Sequence, residues 1–147
     1  LKGMEGKKIP LYGDGTNQRD WLYVEDHVEA ILATTFYGNI GKAYCVGGRN
    51  QLSNLTVAES ICELLDKYLE KEFSHNTLIS FVKDRPGHDK RYAINPNLIA
   101  EEIGWMPKLN FEDGLKKTVS WYLNNKLWCE RILRESGYEG QRIGKLE

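Results

Sequence analysis

The sequence predicts a mixed α/β fold, or an α+β arrangement, that contains few strands. Two short β-rich runs, at residues 43–48 and 78–82, alternate with stretches whose apolar residues recur at helical spacing. The 147 residues are enough for one domain with a real core. The strand-like runs are too few for a complete doubly wound sheet.

The first third of the chain is predicted to contain extended pieces, a helix and a strand. Residues 7–24 read as short extended segments around a Gly-Asp-Gly turn. Asp26 stands three residues before Glu29, a pattern typical of a helix start, and Gly38 and Gly41 end that helix. The regularly spaced positions of this helix are Val28, Ile31, Leu32 and Thr35. Residues 43–48 are then expected to form a buried strand that two glycines stop.

A second helix is predicted to open at a T-x-x-E box formed by Thr56 and Glu59. Its predicted apolar stripe consists of Val57, Ile61, Leu64, Leu65 and Tyr68. After the strand at residues 78–82, a short helix is bracketed by Asn95 as N-cap and Gly104 as terminator, with Pro96 in its first position.

The last predicted helix opens near Phe111 and runs through residues 112–128. Its predicted buried face consists of Leu115, Val119, Tyr122 and Leu123. The polar tail after Ser136 is expected to be loosely held, and no function is assigned to residues 129–147.

Composition excludes several classes of partner. The net charge of −1 argues against a nucleic-acid partner, which usually requires a broad basic face. No apolar run approaches the ~18 residues of a membrane span and no signal peptide opens the chain, so no membrane partner is expected. Because the sequence begins with Leu1 rather than Met, we treat a fragment of a longer protein as a hypothesis.

Cysteine and histidine spacing predicts a cytoplasmic protein without a metal site. No two cysteines form a C-x-x-C pair. An odd number of widely spaced cysteines is typical of reduced, buried thiols. The cysteines are Cys45, Cys62 and Cys129. His27 and His75 have no partners at metal-ligand spacing, and with His88 they indicate no metal site.

The loop of residues 84–94 collects cations around a rigid Pro-Gly turn. Its basic side chains are Arg85, His88, Lys90 and Arg91. The planar fork of Arg85, held in place by Pro86, suits a phosphate, and Gly87 lets a ligand approach the backbone. His88 can donate a hydrogen bond or stack. This pattern favours a site for a doubly charged ligand; the alternative is a surface turn whose Asp84, Asp89, Lys90 and Arg91 pair with one another.

Residues 12–21, YGDGTNQRDW, superficially resemble a phosphate-binding loop. The spacing is G-x-G-x-x-Q, with Gln18 in place of the third glycine, and the following helix starts too late for a dinucleotide fingerprint. We interpret Tyr12 as a stacking face and Arg19 as a charged fork. The alternative is a hairpin in which Arg19 pairs with Asp20.

Two further signals are weaker. Asn50 follows a glycine pair at a strand end and could contact a ligand there, or it could merely satisfy its own loop. Tyr122 and Lys126 spell Y-x-x-x-K, but Tyr122 falls on an apolar stripe, so the match is ascribed to chance. With no G-x-S-x-G elbow and no Cys-His context, no catalytic residue is predicted in this chain.

Several stretches together resemble one enzyme family. The most specific are RDWLYVEDH at residues 19–27 and DRPGHDKRYAI at residues 84–94. These motifs resemble the C-terminal half of the dTDP-glucose 4,6-dehydratases, which are extended short-chain dehydrogenase/reductases acting on nucleotide sugars. The resemblance extends to about Trp128.

The resemblance implies a set of substrate-binding residues. Pro10, Leu11 and Tyr12 match a segment that lines the thymidine pocket. Arg19 matches an arginine on the pyrophosphate, and Asn50 matches a substrate-contacting asparagine. A loop that closes over the nucleotide is matched by Asp84, Arg85, Pro86, Gly87 and His88, with Arg85 on the phosphates and His88 by the ribose or base.

The resemblance also implies what other parts of such enzymes supply. The family carries its NAD-binding fingerprint, its catalytic Y-x-x-x-K pair and its acidic dehydration pair in an N-terminal half that this chain lacks. With NAD, it converts dTDP-glucose to dTDP-4-keto-6-deoxyglucose for the synthesis of rhamnose and other deoxysugars, and the intact enzymes are homodimers. This chain is therefore expected to be the substrate-binding part and to be inactive alone.

The resemblance further implies that residues 21–48 add a helix and a strand to the dinucleotide-binding Rossmann domain, so they should expose apolar surface here. Other interpretations stay open. They are another nucleotide-sugar epimerase, dehydratase or decarboxylase, a stand-alone nucleotide-sugar binding module, and a domain without a ligand.

Overall fold

The fold was analysed in a computed structural model, which describes residues 1–137; the predicted loose tail beyond them lies outside the described residues. The elements are β1 (Ile9–Tyr12), β2 (Gln18–Asp20), α1 (Val24–Tyr37), β3 (Gln51–Ser53), α2 (Asn54–Tyr68), β4 (Ile79–Val82), α3 (Asn97–Ile103), α4 (Phe111–Asn124) and α5 (Lys126–Ser136). A short 3₁₀ helix, His75–Leu78, precedes β4. The mixed α/β prediction is confirmed, and each described sheet has two strands.

The two sheets are connected by the segment after β4, which forms a bridge to Gln18 of β2. β1 pairs in parallel with β4, from Ile9 opposite Ile79 to Tyr12 opposite Val82. β2 pairs antiparallel with β3, with Arg19 opposite Leu52. The loop after β4 then returns to β2. This path is what brings the predicted site residues together.

The predicted strand at residues 43–48 does not form. No strand within residues 1–137 lies beside it, so its backbone has no ladder to join. Tyr44 and Val46 nevertheless pack against the core cluster, whose buried members are Ala30, Ile99 and Trp105. Cys45, predicted to be buried, is exposed, whereas the other two cysteines are buried.

Helix α1 begins two residues earlier than predicted and turns its larger apolar side outward. Asp26 does not cap the helix. It is 3% exposed, and its Oδ2 accepts a hydrogen bond of 3.1 Å from the Leu109 N–H. Ala30, also on the inward side, is fully buried, whereas Ile31 is 54% and Leu32 50% exposed. The expected uncovered apolar surface is therefore present, because small side chains face the core and large ones face solvent.

The cap of α2 lies one turn before the predicted T-x-x-E box. The Ser53 side chain accepts a hydrogen bond from the Thr56 N–H at 3.0 Å, so the helix begins at Asn54. Val57 and Leu65 of the predicted stripe are buried together with Cys62, but Tyr68 is exposed.

The later helices follow the sequence more closely. Asn95 accepts a hydrogen bond from the Asn97 N–H at 3.0 Å, although the residue directly before α3 is Pro96. Gly104, with φ of 76°, ends that helix as predicted. Helix α4 begins at Phe111 as predicted but ends at Asn124, and α5 begins at Lys126, so the single predicted helix is divided in two. Tyr122, predicted to be buried on this helix, is exposed.

A polar cluster ties the segment after α1 to the end of α3. The Glu102 carboxylate accepts hydrogen bonds from Lys42, from the Tyr44 hydroxyl at 2.7 Å and from the Asn39 side chain at 2.9 Å. These donors, Lys42 foremost, lower the pKa of Glu102 to about 2. No helix of the described residues is both long and apolar enough to cross a membrane.

Candidate functional site

The candidate site forms where the loop after β4 meets β2. The Gln18 N–H donates to the Lys90 carbonyl at 2.8 Å, and the Tyr92 N–H donates to the Gln18 carbonyl at 3.1 Å. An isolated parallel bridge joins Gln18 and Arg91. Because β1 and β4 are parallel, their carboxyl ends meet at Tyr12, where the loop departs. The two motifs, 65 positions apart in the chain, therefore become one surface.

Arg85 lies over the ring of Tyr12. Its guanidinium carbon is 5.3 Å from the ring centroid, a cation–π contact. Within residues 1–137, no group accepts a hydrogen bond from this guanidinium, and the residue is exposed. All five of its N–H donors are consequently available to an anion.

Asp84 and His88 close the turn in which Pro86 and Gly87 lie. His88 Nδ1 is 2.7 Å from Asp84 Oδ1, which also accepts the Arg85 N–H at 2.7 Å. The hydrogen bond with His88, followed by that from the Arg85 N–H, lowers the pKa of Asp84. Gly87 has φ of 65°, and nothing surrounds its Cα, so the turn needs glycine for conformation rather than for space. Asp84 is thus paired within the turn, but with His88 and not with Lys90 or Arg91, and Arg91 instead donates to Gln51, so the surface-turn alternative does not hold as stated.

The imidazole of His88 is only 4% exposed, although it lies in an exposed loop. Its Nε2 is buried and has no hydrogen-bond partner among the described residues. A buried polar atom without a partner is uncommon in folded proteins. His88 therefore retains one unsatisfied ring nitrogen within the described residues.

Arg19 does not pair with Asp20, so the hairpin alternative is wrong. Its Nη1 donates to the Gln18 carbonyl at 2.6 Å and its Nη2 to the Asp89 carbonyl at 2.9 Å. The guanidinium also stacks on Tyr92, 4.3 Å from the ring centroid. Two of its five donors are used within the chain, and three remain for a ligand.

Both guanidinium groups act on the Tyr92 phenol. The hydroxyl of Tyr92 donates to the Asp89 carboxylate, which raises the pKa of Tyr92, while the positive charges of Arg19 and Arg85 oppose that rise. Arg19 and Arg85 therefore lie within electrostatic reach of one phenol. We call Tyr12, Arg19, Arg85 and Tyr92 the arginine–tyrosine cluster.

The remaining predicted site residues are placed less favourably. Asn50 Nδ2 donates to the Gly48 carbonyl at 2.8 Å and to the Trp21 carbonyl at 3.3 Å, so the side chain does satisfy its own loop. Leu11 is buried, on the opposite face of β1 from Tyr12. Pro10 is exposed. A ligand role for these residues stays a prediction, and for Leu11 the geometry argues against direct contact with a ligand beside Tyr12.

Sequence reasoning missed Tyr92 and Gln51, and it considered Asp89 only as a pairing partner in the surface-turn alternative. Gln51 accepts a hydrogen bond from Arg91 Nε at 3.0 Å, which fixes the end of the loop to β3. The bridge between Gln18 and the loop joins residues that are far apart in the sequence, so no local sequence pattern predicts it. An aromatic residue directly after the basic cluster was the one available signal.

A cavity of about 580 Å³ lies elsewhere, between residues 21–25, α2 and α4. Its lining includes Tyr23, Val57, Ile61, Phe111, Leu115 and Trp121. It meets the predicted site only at Asn50. Because this lining is mainly apolar while the arginine–tyrosine cluster carries two cations, the chemistry for a diphosphate lies at the cluster rather than in the cavity.

The described residues fit neither a metal ion nor a dinucleotide. No group of three His, Cys, Asp or Glu side chains among residues 1–137 could hold a metal. The turn with Gly13 and Gly15 connects β1 to β2, whereas a dinucleotide turn leads from a strand into a helix. No step of NAD chemistry can therefore be derived from the described part of the chain.

Comparison with known proteins gives a consistent result. Residues 2–118 match the family model described as GDP-mannose 4,6 dehydratase. A probable dTDP-glucose 4,6-dehydratase of Sinorhizobium fredii is 47% identical over 100% of this chain and 42% of its own length. The dTDP-glucose 4,6-dehydratase of Bacillus anthracis in complex with NAD is 45% identical, with a TM-score of 0.75 over 86% of this chain and 38% of that one.

A second solved structure adds a ligand. The dTDP-glucose 4,6-dehydratase DesIV of Streptomyces venezuelae, with NAD and TYD bound, is 35% identical and has a TM-score of 0.75, covering 86% of this chain and 37% of that one. The chain thus spans about two fifths of the length of the proteins it matches.

Proposed function

This chain belongs to the GDP-mannose 4,6-dehydratase family of extended short-chain dehydrogenase/reductases that act on nucleotide sugars, and from that premise we propose that it is the dTDP-glucose-binding part of a dTDP-glucose 4,6-dehydratase. The observation that carries the proposal is the pair of guanidinium groups where the loop meets β2, with Arg19 4.3 Å from the ring centroid of Tyr92 and Arg85 5.3 Å from that of Tyr12.

Two guanidinium groups at one site carry like charges, and an anion between them would offset their repulsion. Arg85 offers five donors and Arg19 three, and charged hydrogen bonds to phosphate are among the strong ones. A diphosphate supplies two neighbouring anionic groups that can occupy both forks. We assign the ring of Tyr12, over which Arg85 lies, and His88, whose Nε2 has no partner among the described residues, to contacts with the nucleoside.

The chemistry of dehydration belongs elsewhere in this proposal. The relative from Bacillus anthracis is complexed with NAD, but the described residues offer no dinucleotide turn. The outward apolar side of α1 supports the proposal that another part of the enzyme packs against residues 21–48. We assign that packing surface to the NAD-binding part. This chain alone, supplied with NAD and dTDP-glucose, should give no 4-keto product.

Calorimetric titration of the chain with dTDP, UDP and GDP tests the proposal. We expect dTDP to bind most tightly. A preference for UDP or GDP would assign the chain to another nucleotide-sugar enzyme of the same family, and absence of binding by all three would overturn the substrate-binding role. A variant of α5, Arg131→Ala, removes a cation far from the loop in sequence and should bind dTDP as the unmodified chain does.

A further inference from the structure

The orientation of Arg19 depends on a residue to which no role has been assigned. An exposed arginine normally samples many rotamers, and ordering it on a ligand has an entropic cost. Here the guanidinium already has a defined plane, because two backbone carbonyls accept its Nη1 and Nη2 hydrogens and Tyr92 lies beneath it at 4.3 Å. Two of these three partners are backbone carbonyls. Only the contact with the Tyr92 ring can therefore be removed by a substitution.

The ring of Tyr92 is itself held at both ends. Its hydroxyl donates to the Asp89 carboxylate, and its backbone N–H donates to the Gln18 carbonyl at 3.1 Å. The Asp89 carbonyl, besides accepting from Arg19, accepts from Asn17 Nδ2 at 3.2 Å, and Asn17 is 6% exposed. The phenol is thus fixed to a buried part of the molecule although half of its own surface is exposed.

We propose that Tyr92 is a positioning residue that holds the Arg19 guanidinium in the plane from which its three free N–H donors reach the diphosphate of the ligand. This inference rests on the proposed function, since it names the residue that orients Arg19, one of the two arginines proposed to bind the diphosphate. Because the ring stacks under the guanidinium plane, it leaves the donors at the edge of that plane unobstructed, as a carboxylate partner would not.

The stack also has an electrostatic consequence. A π face attracts the guanidinium without neutralising it, whereas a carboxylate such as Asp20 would cancel its charge. The contact thus fixes Arg19 and leaves its positive charge available to an anion. Asp89 contributes twice: its backbone carbonyl accepts a hydrogen bond from Arg19, and its carboxylate accepts one from the Tyr92 hydroxyl.

The test compares dTDP affinity in variants of the full chain. Tyr92→Leu removes the π face and should weaken dTDP binding about 3- to 30-fold, the range of a partly desolvated cation–π contact. Tyr92→Phe keeps the ring and should restore affinity to within about 2-fold of the unmodified chain. Tyr68→Leu changes a comparably exposed tyrosine on α2 and should leave binding unchanged. Tyr92→Gln replaces the leucine variant if circular dichroism shows that the latter is unfolded.

A double-mutant cycle separates positioning from general support of the loop. In an Arg19→Ala background, Tyr92→Leu should cause no further loss, because the group that it orients is gone. An equal loss with and without Arg19, or unchanged dTDP binding by Tyr92→Leu, would overturn the inference. Failure of the unmodified chain to bind dTDP would instead overturn the proposed function, so the two failures are distinguishable.

Discussion

The outward face of α1 and the arginine–tyrosine cluster are both exposed, but their side chains are satisfied in different ways. On α1, Ile31 and Leu32 are about half exposed, and Phe36 is 73% exposed. In the cluster, the half-buried Arg19 and the exposed Tyr92 are polar groups held by hydrogen bonds and stacking. An apolar surface lowers its free energy when another apolar surface covers it. A fixed cation gains instead from an anion that approaches it.

The difference between these two regions indicates two kinds of partner. A stripe of large aliphatic and aromatic side chains needs a protein surface, and soluble monomers rarely expose extensive patches of that kind. Two guanidinium groups with unused N–H donors, one stacked on Tyr92 and one over Tyr12, suit a small anionic ligand. One chain can therefore present a ligand site and a packing surface at the same time, as the proposed function requires.

The largest expected effect contrasts the two sides of the α1 contact. Ile99, fully buried beneath α1, should lose about 2–5 kcal/mol of unfolding free energy on mutation to Ala, because the substitution leaves a cavity. Ile31→Ala on the outward side should change stability by no more than about 0.5 kcal/mol. Urea denaturation followed by circular dichroism measures both. Equal losses would show that Ile31 is buried in solution.

An intermediate effect is expected at Asp26, on the inward side of α1. Asp26→Ala removes the acceptor of the Leu109 N–H and should cost about 1–3 kcal/mol of unfolding free energy. His27→Ala, one position further along and exposed, is the matched control and should be nearly neutral. If both variants unfold at the same urea concentration, the contact between α1 and the segment before α4 does not form in solution.

The smallest effect concerns the polar cluster that follows α1, and it depends on pH. The pKa of Glu102 is lowered from 4.5 to about 2, so its ionised form stabilises the fold above pH 4.5, and that contribution is lost as the pH falls towards 2. Glu102→Gln should lower the thermal midpoint at pH 7, and the difference from the unmodified chain should shrink as the pH is lowered from 4.5. The neighbouring Glu101→Gln is the control. A difference that stays constant with pH would contradict the role of ionised Glu102.

Local signals in the sequence predicted the helices well but failed where a distant partner decides. Gly104 and Phe111 stand at helix boundaries because capping depends on residues a few positions apart. Residues 43–48 have strand composition, yet a strand also needs a neighbour, and none is present within the described range. The position of Asp26 predicted a helix cap, but its carboxylate instead accepts a hydrogen bond from the N–H of Leu109, 83 positions away.

The candidate site shows the same division. The cationic loop and Arg19 could be singled out because arginine, proline and glycine carry recognisable chemistry at short spacing. Tyr92 and Gln51 were missed because their roles arise from the bridge between Gln18 and Arg91, which forms only in the folded chain. Asn50 shows the reverse error, since its amide is used within its own loop.

The most direct test of two arginines acting on one diphosphate is a dTDP titration of Arg19→Ala and Arg85→Ala, with Arg131→Ala as the control. Each site variant should weaken binding by about 1.5–3 kcal/mol, or roughly 10- to 150-fold, because charged hydrogen bonds are lost. The control should bind as the unmodified chain does. Unchanged dTDP affinity in both site variants would contradict the assignment of these two side chains to the diphosphate.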